Sequence, residues 1–399
     1  MAVREVFFFS VAYAERAIIL FVIRRFYVHN FRCLENFELP VSGKSSVLLI
    51  GKNGSGKTTV LLALEILRKI AGGTNQVRDL VKPKDLARGR ADVPMRFEIE
   101  AELEGQIYSY TLALDLPKGS KELSVLEERI EVGGKPAYSR DAAQVNFELW
   151  HNPEGALRGG GVGRVGVGRI DIERHLVALP IIQNWSVNIF RQWLGRMLLL
   201  RPIPSLIYGD SEEQETLPPR LDVTDLGSWF SDLLAHAPSA YAEMHQYLKQ
   251  VMPDLEDIKN PPVGKDARRI VVQFSNDLGS LTLPFADLSD GEKCFMICAL
   301  VLAAKHAYGN VVCFWDEPDN YLAPSEIGHF VMALRKAFQS GGQFIATSHN
   351  PEAIRRFSDE NTLVLYRKSH LEPTMVRPLS EIHVNGDLVG ALVRGDLEP

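Results

Sequence analysis

Three patterns of apolar and polar positions divide the chain. Short unbroken apolar runs occur at 47–50 ("VLLI") and 311–315 ("VVCFW"), each followed by polar residues. Runs of that length read as strands buried on both faces. "GQFIATSHN" and "TLVLYRK" read as two further strands near the C-terminal end, and "RRFYVHNF" as one near the start. Between 95 and 150 the pattern alternates, in "MRFEIEAELEG", "IYSYTLALDL", "LEERIEVGG" and "VNFELW". Alternation with turns between predicts an antiparallel meander of at least four strands. From Trp185 to about Lys259 the period becomes helical, in "NIFRQWLGRMLLL", "DLGSWFSDLLAH" and "AYAEMHQYLKQVM", separated by prolines. Strands return at "RRIVVQFSN" and "LTLPFADL", and no internal repeat is visible. The predicted fold class is α/β, a mixed sheet with an antiparallel β meander and a helical insert. The predicted units are 1–21, an extension; 22–184, an N-terminal half with the meander; 185–265, the insert; and 266–399, a C-terminal half.

Two stretches need separate reading. "VFFFSVAYAERAIILFVIRRFYV" is apolar, but Glu15 and Arg16 interrupt it, and Ala17–Ile23 is too short to span a bilayer. Residues 1–21 read either as an adventitious extension or as an added edge element. "GALRGGGVGRVGVGRIDIERH" (155–175) contains a formal G-x-G-x-x-G at Gly161, Gly163 and Gly166. No strand leads directly into it and glycines continue on both sides, so it reads as a mobile, mildly basic loop rather than a dinucleotide site.

Composition narrows the function. The chain has 399 residues, 46% hydrophobic and 24% charged, with a net charge of -6. That is globular, and too acidic for a protein that coats duplex DNA through its bulk charge. Cys33, Cys294, Cys298 and Cys313 form no C-x-x-C pair and read as buried thiols suited to a reducing cytoplasm.

The candidate chemistry begins after the first buried strand. Gly51–Lys52–Asn53–Gly54–Ser55–Gly56–Lys57–Thr58 fits G-x-x-x-x-G-K-[ST], and a helix predicted from Lys57 to Ala71 leaves it. Glycines let backbone N–H groups close on phosphates; Lys57 would neutralise them and Thr58 would ligate Mg²⁺. The second strand ends in Asp316 and Glu317. Two acids at a buried strand's end need a cation or a role: Asp316 for Mg²⁺, Glu317 to polarise an attacking water. His349 ends the next strand, placed to bond a terminal phosphate. In "DLSDGEKCFMICALVLAAKHAYG", Ser289 and Glu292 form a capping box, and Gly291 opens the first turn of an apolar helix. Such a helix start is also an anion site.

In order, Gly51–Thr58, Leu288–Gly291, Asp316–Glu317 and His349 resemble the ATP-binding cassette ATPases. With "NFR" (30–32) before "GKNGSGKTT", the chain resembles their RecF/SMC-like and OLD-like branch over residues 24–370. That branch commonly continues its acidic strand as D-E-P-x-x-x-L-H-P; here Ala323 stands where the histidine would be. The resemblance implies bound ATP and Mg²⁺, with Thr59 alongside the phosphate loop. It also implies that Ser289 and Gly291 meet the γ-phosphate held by a neighbouring copy, hence a homo-oligomer. Arg32 would approach base or ribose, or is plain surface. Gln76 is a poor candidate for the glutamine that couples nucleotide to partner motion.

No Toprim domain or heptad arm is visible. The chain therefore reads as an ATPase switch for a separate effector protein, like the ATPase components of bacterial anti-phage systems (PARIS, Septu, retron-associated). The alternative is a RecF-like repair ATPase whose nucleic-acid surface would be Arg78, Lys82, Lys84, Arg88 and Arg90 with Arg158, Arg164 and Arg169. No membrane role is expected.

Overall fold

The computed structural model describes residues 22–151, 163–212, 218–265 and 267–382. The predicted extension over 1–21, together with Gly161, Arg158 and the C-terminal "NGDLVGALVRGDLEP", lies outside the described residues. The chain begins with β1 (Ile23–His29), β2 (Phe37–Leu39), β3 (Ser46–Ile50), α1 (Lys57–Ala71) and α2 (Val77–Leu80). Then follow β4 (Met95–Leu103), β5 (Gln106–Asp115), β6 (Ser124–Val132), β7 (Lys135–Asp141), β8 (Gln144–His151) and β9 (Gly163–Asp171). The middle holds α3 (Trp185–Gly195), β10 (Leu198–Leu200), β11 (Asp210–Glu212), α4 (Leu226–His236) and α5 (Ala240–Val251). Next come β12 (Leu255–Lys259), β13 (Pro262–Val263), β14 (Ala267–Arg269), β15 (Val271–Asn276) and β16 (Gly279–Pro284). The last third is α6 (Asp290–Tyr308), β17 (Val312–Trp315), α7 (Pro324–Gln339), β18 (Gln343–Thr347), α8 (Pro351–Arg355), β19 (Thr362–Tyr366) and β20 (Met375–Pro378).

A six-stranded sheet ordered β10-β17-β18-β3-β19-β20 forms the centre. Its first five strands are mutually parallel and β20 is antiparallel to β19. Each face has its own core. Val47 and Leu49 of β3 feed one cluster, with Phe314 and Ile345. Leu48 and Ile50 feed the other, with Trp315 and Phe344. Two-sided burial is why these strands are unbroken apolar runs. The first core continues through Val60, Leu64 and Leu67 of α1 to Phe97, Ile99 and Tyr110 of an antiparallel sheet ordered β2-β1-β4-β5-β6-β7-β8-β9. The second fills with α4 to α7; α6 is buried from Lys293 to Val301 without a break.

Two segments differ from their sequence reading. The glycine-rich stretch read as a loop contains β9, paired antiparallel with β8 from Gln144↔Asp171 to His151↔Gly163. Gly168 faces the Phe147 ring so closely that a Cβ would sit 2.5 Å from it. A strand glycine there admits the aromatic ring across the pair, and the missing side chain hides the alternation. The helical period at 185–259 holds for α3, α4 and α5, but Leu198–Leu200 is a strand parallel to β17. α3 ends at Gly195, and three consecutive leucines with buried side chains suit a two-sided sheet position better than a helix face.

A buried charge network ties the meander to the chain that follows it. Glu128 and Arg140 have fully buried side chains, 3.6 Å apart. Glu128 accepts from Tyr138 Oη (2.7 Å), Tyr110 Oη (3.1 Å) and the amides of Ala178 (2.7 Å) and Leu179 (2.9 Å). Arg140 donates to the carbonyls of Ala142, Ile172 and Glu173. Removing one partner of such a pair strands the other charge. Glu128→Ala is therefore expected to cost about 3–5 kcal/mol in urea unfolding; a loss no larger than that of a surface substitution would contradict this role.

Candidate active site

β3 delivers the loop predicted to bind phosphate and α1 leaves it, starting at Lys57 as predicted. Gly51 has φ +147, and a Cβ there would lie 2.0 Å from the Leu365 carbonyl, so β19 presses directly on the loop and excludes any side chain. Lys57 is 6% exposed, and its Nζ donates to Gly51 O (2.8 Å). Burial lowers its pKa, and the nearby Glu317 and Asp316 charges oppose that shift.

The acids arrive from β17. Thr58 Oγ1 donates to Asp316 Oδ2 (2.8 Å) and Thr347 Oγ1 donates to Asp316 Oδ1 (2.6 Å). Asp316 is only 5% exposed, so both oxygens are fixed. Glu317 has φ 52, a left-handed conformation uncommon for this residue type. Its amide donates to Thr347 Oγ1 (2.9 Å), and its Oε2 accepts from Asn320 Nδ2 (2.6 Å). His349 Nε2 stands 3.6 Å from Glu317 Oε1. Burial and the Lys57 charge hold the His349 pKa below its ordinary 6.5 against the pull of Glu317 and Asp316. Beside it, Asp319 is buried, accepts from Ser348 Oγ (2.6 Å), and is raised by that burial.

A cleft of about 410 Å³ is lined by Asn53, Gly54, Gly56, Lys57, Thr58, Thr59, Glu317, Arg32, Cys33 and Arg367. Arg32 is exposed and paired with Asp85 (3.1 Å) on the cleft wall. Cys33, read as buried, is half-exposed there, because it borders the cleft rather than a core. A second cleft of about 570 Å³, on the side of Ser55 and Gly51, carries His349. Ser289 and Gly291 line neither cleft. The capping box is formed: Ser289 Oγ accepts from Glu292 N (3.3 Å), and Glu292 Oε2 accepts from Ser289 N (2.8 Å). Gln76 pairs with Leu176, away from both clefts.

Three contributors escaped the sequence reading. Thr347 joins both acids. Arg367 donates to Gly54 O (3.3 Å) and to the carbonyls of His370 and Glu372. Thr374 Oγ1 donates to Ser55 O (2.9 Å). Only the pairing of β19 with β3 brings the last two to the loop, so no local motif announces them.

The donor set fits a hard cation. One hydroxyl and one carboxylate converge, and no cluster of three or more His, Cys, Asp or Glu side chains able to hold a metal exists among the described residues. Mg²⁺ is bound in that manner, through one or two protein oxygens completed by phosphates and water.

Fold and site together define an ABC-type ATPase head. The chain belongs to the RecF/RecN/SMC N-terminal domain family, which it matches over residues 22–371. A solved Smc head bound to the C-winged helix domain of ScpA superposes with a TM-score of 0.53 at 11% identity, covering 90% of this chain and 98% of that one. At that identity the likeness concerns the fold alone. The energy-coupling factor transporter ATP-binding protein EcfA2 of Lactococcus lactis is 29% identical over 144 residues, 35% of this chain and 48% of that protein. The OLD nuclease of Thermus scotoductus is 41% identical over 46 residues, 12% of this chain and 8% of that protein. The chain thus spans less than half the length of these curated relatives. Among the described residues no helix is long and apolar enough to cross a membrane.

Arg367→Met removes a clasp on the loop without opening a core. Expected are faster amide hydrogen exchange at Gly54–Gly56 and a melting temperature lowered by no more than about a few degrees. Unchanged exchange would leave Arg367 with no role in the loop.

Proposed function

We propose that this protein is an oligomeric, Mg²⁺-dependent ATPase, a cytoplasmic switch whose nucleotide state controls a separate effector protein, in bacterial anti-phage defence. The observation that carries the reading is the convergence of Thr58, Asp316, Glu317 and His349 beside Lys57, while Ser289 and Gly291 lie outside both clefts. A phosphate-directed helix start that misses its own phosphate loop is what a site shared between two copies requires. The backbone amides of the loop and Lys57 hold the phosphates. Thr58 and Asp316 would hold Mg²⁺, which would neutralise phosphate charge. Glu317 accepts a proton from the attacking water, and His349, kept neutral, hydrogen-bonds the terminal phosphate.

Support for a separate effector comes from the related Smc head, whose structure carries a winged-helix domain of another protein. Anti-phage defence rests on family association. The RecF-like reading is weaker: Arg88 and Arg90 both pair with Glu35, and Arg90 also with Asp92, which removes cations from the proposed nucleic-acid surface. Duplex DNA binding that weakens steeply with salt would favour that alternative.

Lys57→Ala is expected to abolish ATP binding. Glu317→Gln should bind ATP, turn over about 100-fold or more slowly, and accumulate as an ATP-bound oligomer in native mass measurement. Turnover equal to wild type in Glu317→Gln would remove the general base assigned here. Ser289→Arg should fold and bind ATP yet neither assemble nor turn over; normal turnover would reduce the turn to a helix cap.

The depressed His349 pKa fixes a pH dependence. The ring is neutral above its lowered pKa, so the rate is expected to be flat above neutrality, and protonation costs activity only on the acid side of the ordinary histidine range. A pH–rate inflection near neutrality that vanishes in His349→Asn would contradict this.

A further inference from the structure

β10 ends beside the metal acid. Asp316 N donates to Leu200 O (2.8 Å), and the next residue, Arg201, places its Nε 3.6 Å from Asp316 Oδ2. That is the same oxygen that accepts from Thr58 Oγ1. Oδ1 is already taken by Thr347, and Asp316 is 3% exposed at its side chain, so the guanidinium and a metal ion compete for one face of one carboxylate. Apart from that pairing with Asp316, Arg201 is held at its backbone, where its amide donates to Leu221 O (2.6 Å). Its side chain is 58% exposed. It shares a cleft of about 860 Å³ with Asp316 and four further carboxylates, Glu65, Asp222, Asp225 and Glu317; of these, Asp222 already accepts from Thr224 and Asp225 from the Arg220 amide, and both keep acceptor capacity for a guanidinium that turns toward them.

We propose that Arg201 is a positioning residue, the resident counter-cation of Asp316, which Mg²⁺ must displace. A fixed positive charge this close lowers the affinity of Asp316 for a second cation. Free Mg²⁺ is then a poor ligand. Mg²⁺ arriving with a polyphosphate brings compensating negative charge, and the guanidinium turns toward Asp222 and Asp225. The site is thereby selective for metal and nucleotide together. The inference rests on the ATPase reading above.

The test measures binding rather than turnover, on the full chain. Affinity for a fluorescent ATP analogue is measured in EDTA and in saturating Mg²⁺, and nucleotide-independent Mn²⁺ binding is followed by electron paramagnetic resonance. Arg201→Gln is expected to raise the ratio of the Mg²⁺ to the EDTA affinity about fivefold, the size of a partly exposed ion pair, with the EDTA value itself within about twofold of wild type. It should also bind free Mn²⁺ more tightly, whereas Arg201→Lys, which keeps the charge, should stay near wild type in both measurements. An unchanged ratio in Arg201→Gln overturns the proposal. So does an equal fall of both affinities, the mark of a structural role or of direct phosphate contact. A folded wild type that binds the analogue in neither condition removes the ATPase reading itself, a result distinct from either of these.

Discussion

Asp316 is an ionisable group at the edge of an apolar sheet, and the rest of the site is arranged to make that position tolerable. A buried carboxylate without partners is costly. Here two hydroxyls supply partners, one for each oxygen, Thr58 from the helix after β3 and Thr347 from the end of β18. Thr58 is the second residue of α1, which ties that helix start to the acid, and Thr347 also receives the Glu317 amide. The unusual backbone of Glu317 is held by that amide bond and by Asn320, so the second acid turns out of the strand direction toward the cleft.

The large antiparallel sheet plays a different part. It touches the site only at its first strand's exit, where Arg32 and Cys33 border the cleft. Its main contribution is to cover α1, whose buried side extends from Val60 to Ile70. The Glu128–Arg140 network anchors the 172–179 segment that leads back to α3 and β10. Because Arg140 is satisfied by backbone carbonyls and Glu128 by two amides besides two tyrosine hydroxyls, the network ties the path of the following chain to the meander.

Much of this was legible in the chain itself, for a physical reason. β3, β17, β18 and β19 are buried on both faces and leave unbroken apolar runs, and the chemical residues follow directly at their C-terminal ends. Motif and strand thus announce each other. The losses have equally definite causes. β10 is three leucines that continue a helical pattern without a polar break. β9 carries glycines where alternation would show. Thr347, Arg367, Thr374 and Arg201 act through strand register across wide separations in sequence, and neither composition nor local spacing records register.

The β19 carbonyl that presses on Gly51, with the Arg367 and Thr374 clasps behind it, has a consequence for synthesis. The loop after β3 is translated well ahead of the strands that flank and close it, which arrive more than 250 residues later. An emerging chain therefore holds the loop's motif long before it holds the loop's shape, and the slow non-local pairing of β18 and β19 with β3 comes last. A chain stalled before β19 has the lysine and the glycines but not the wall they lean on.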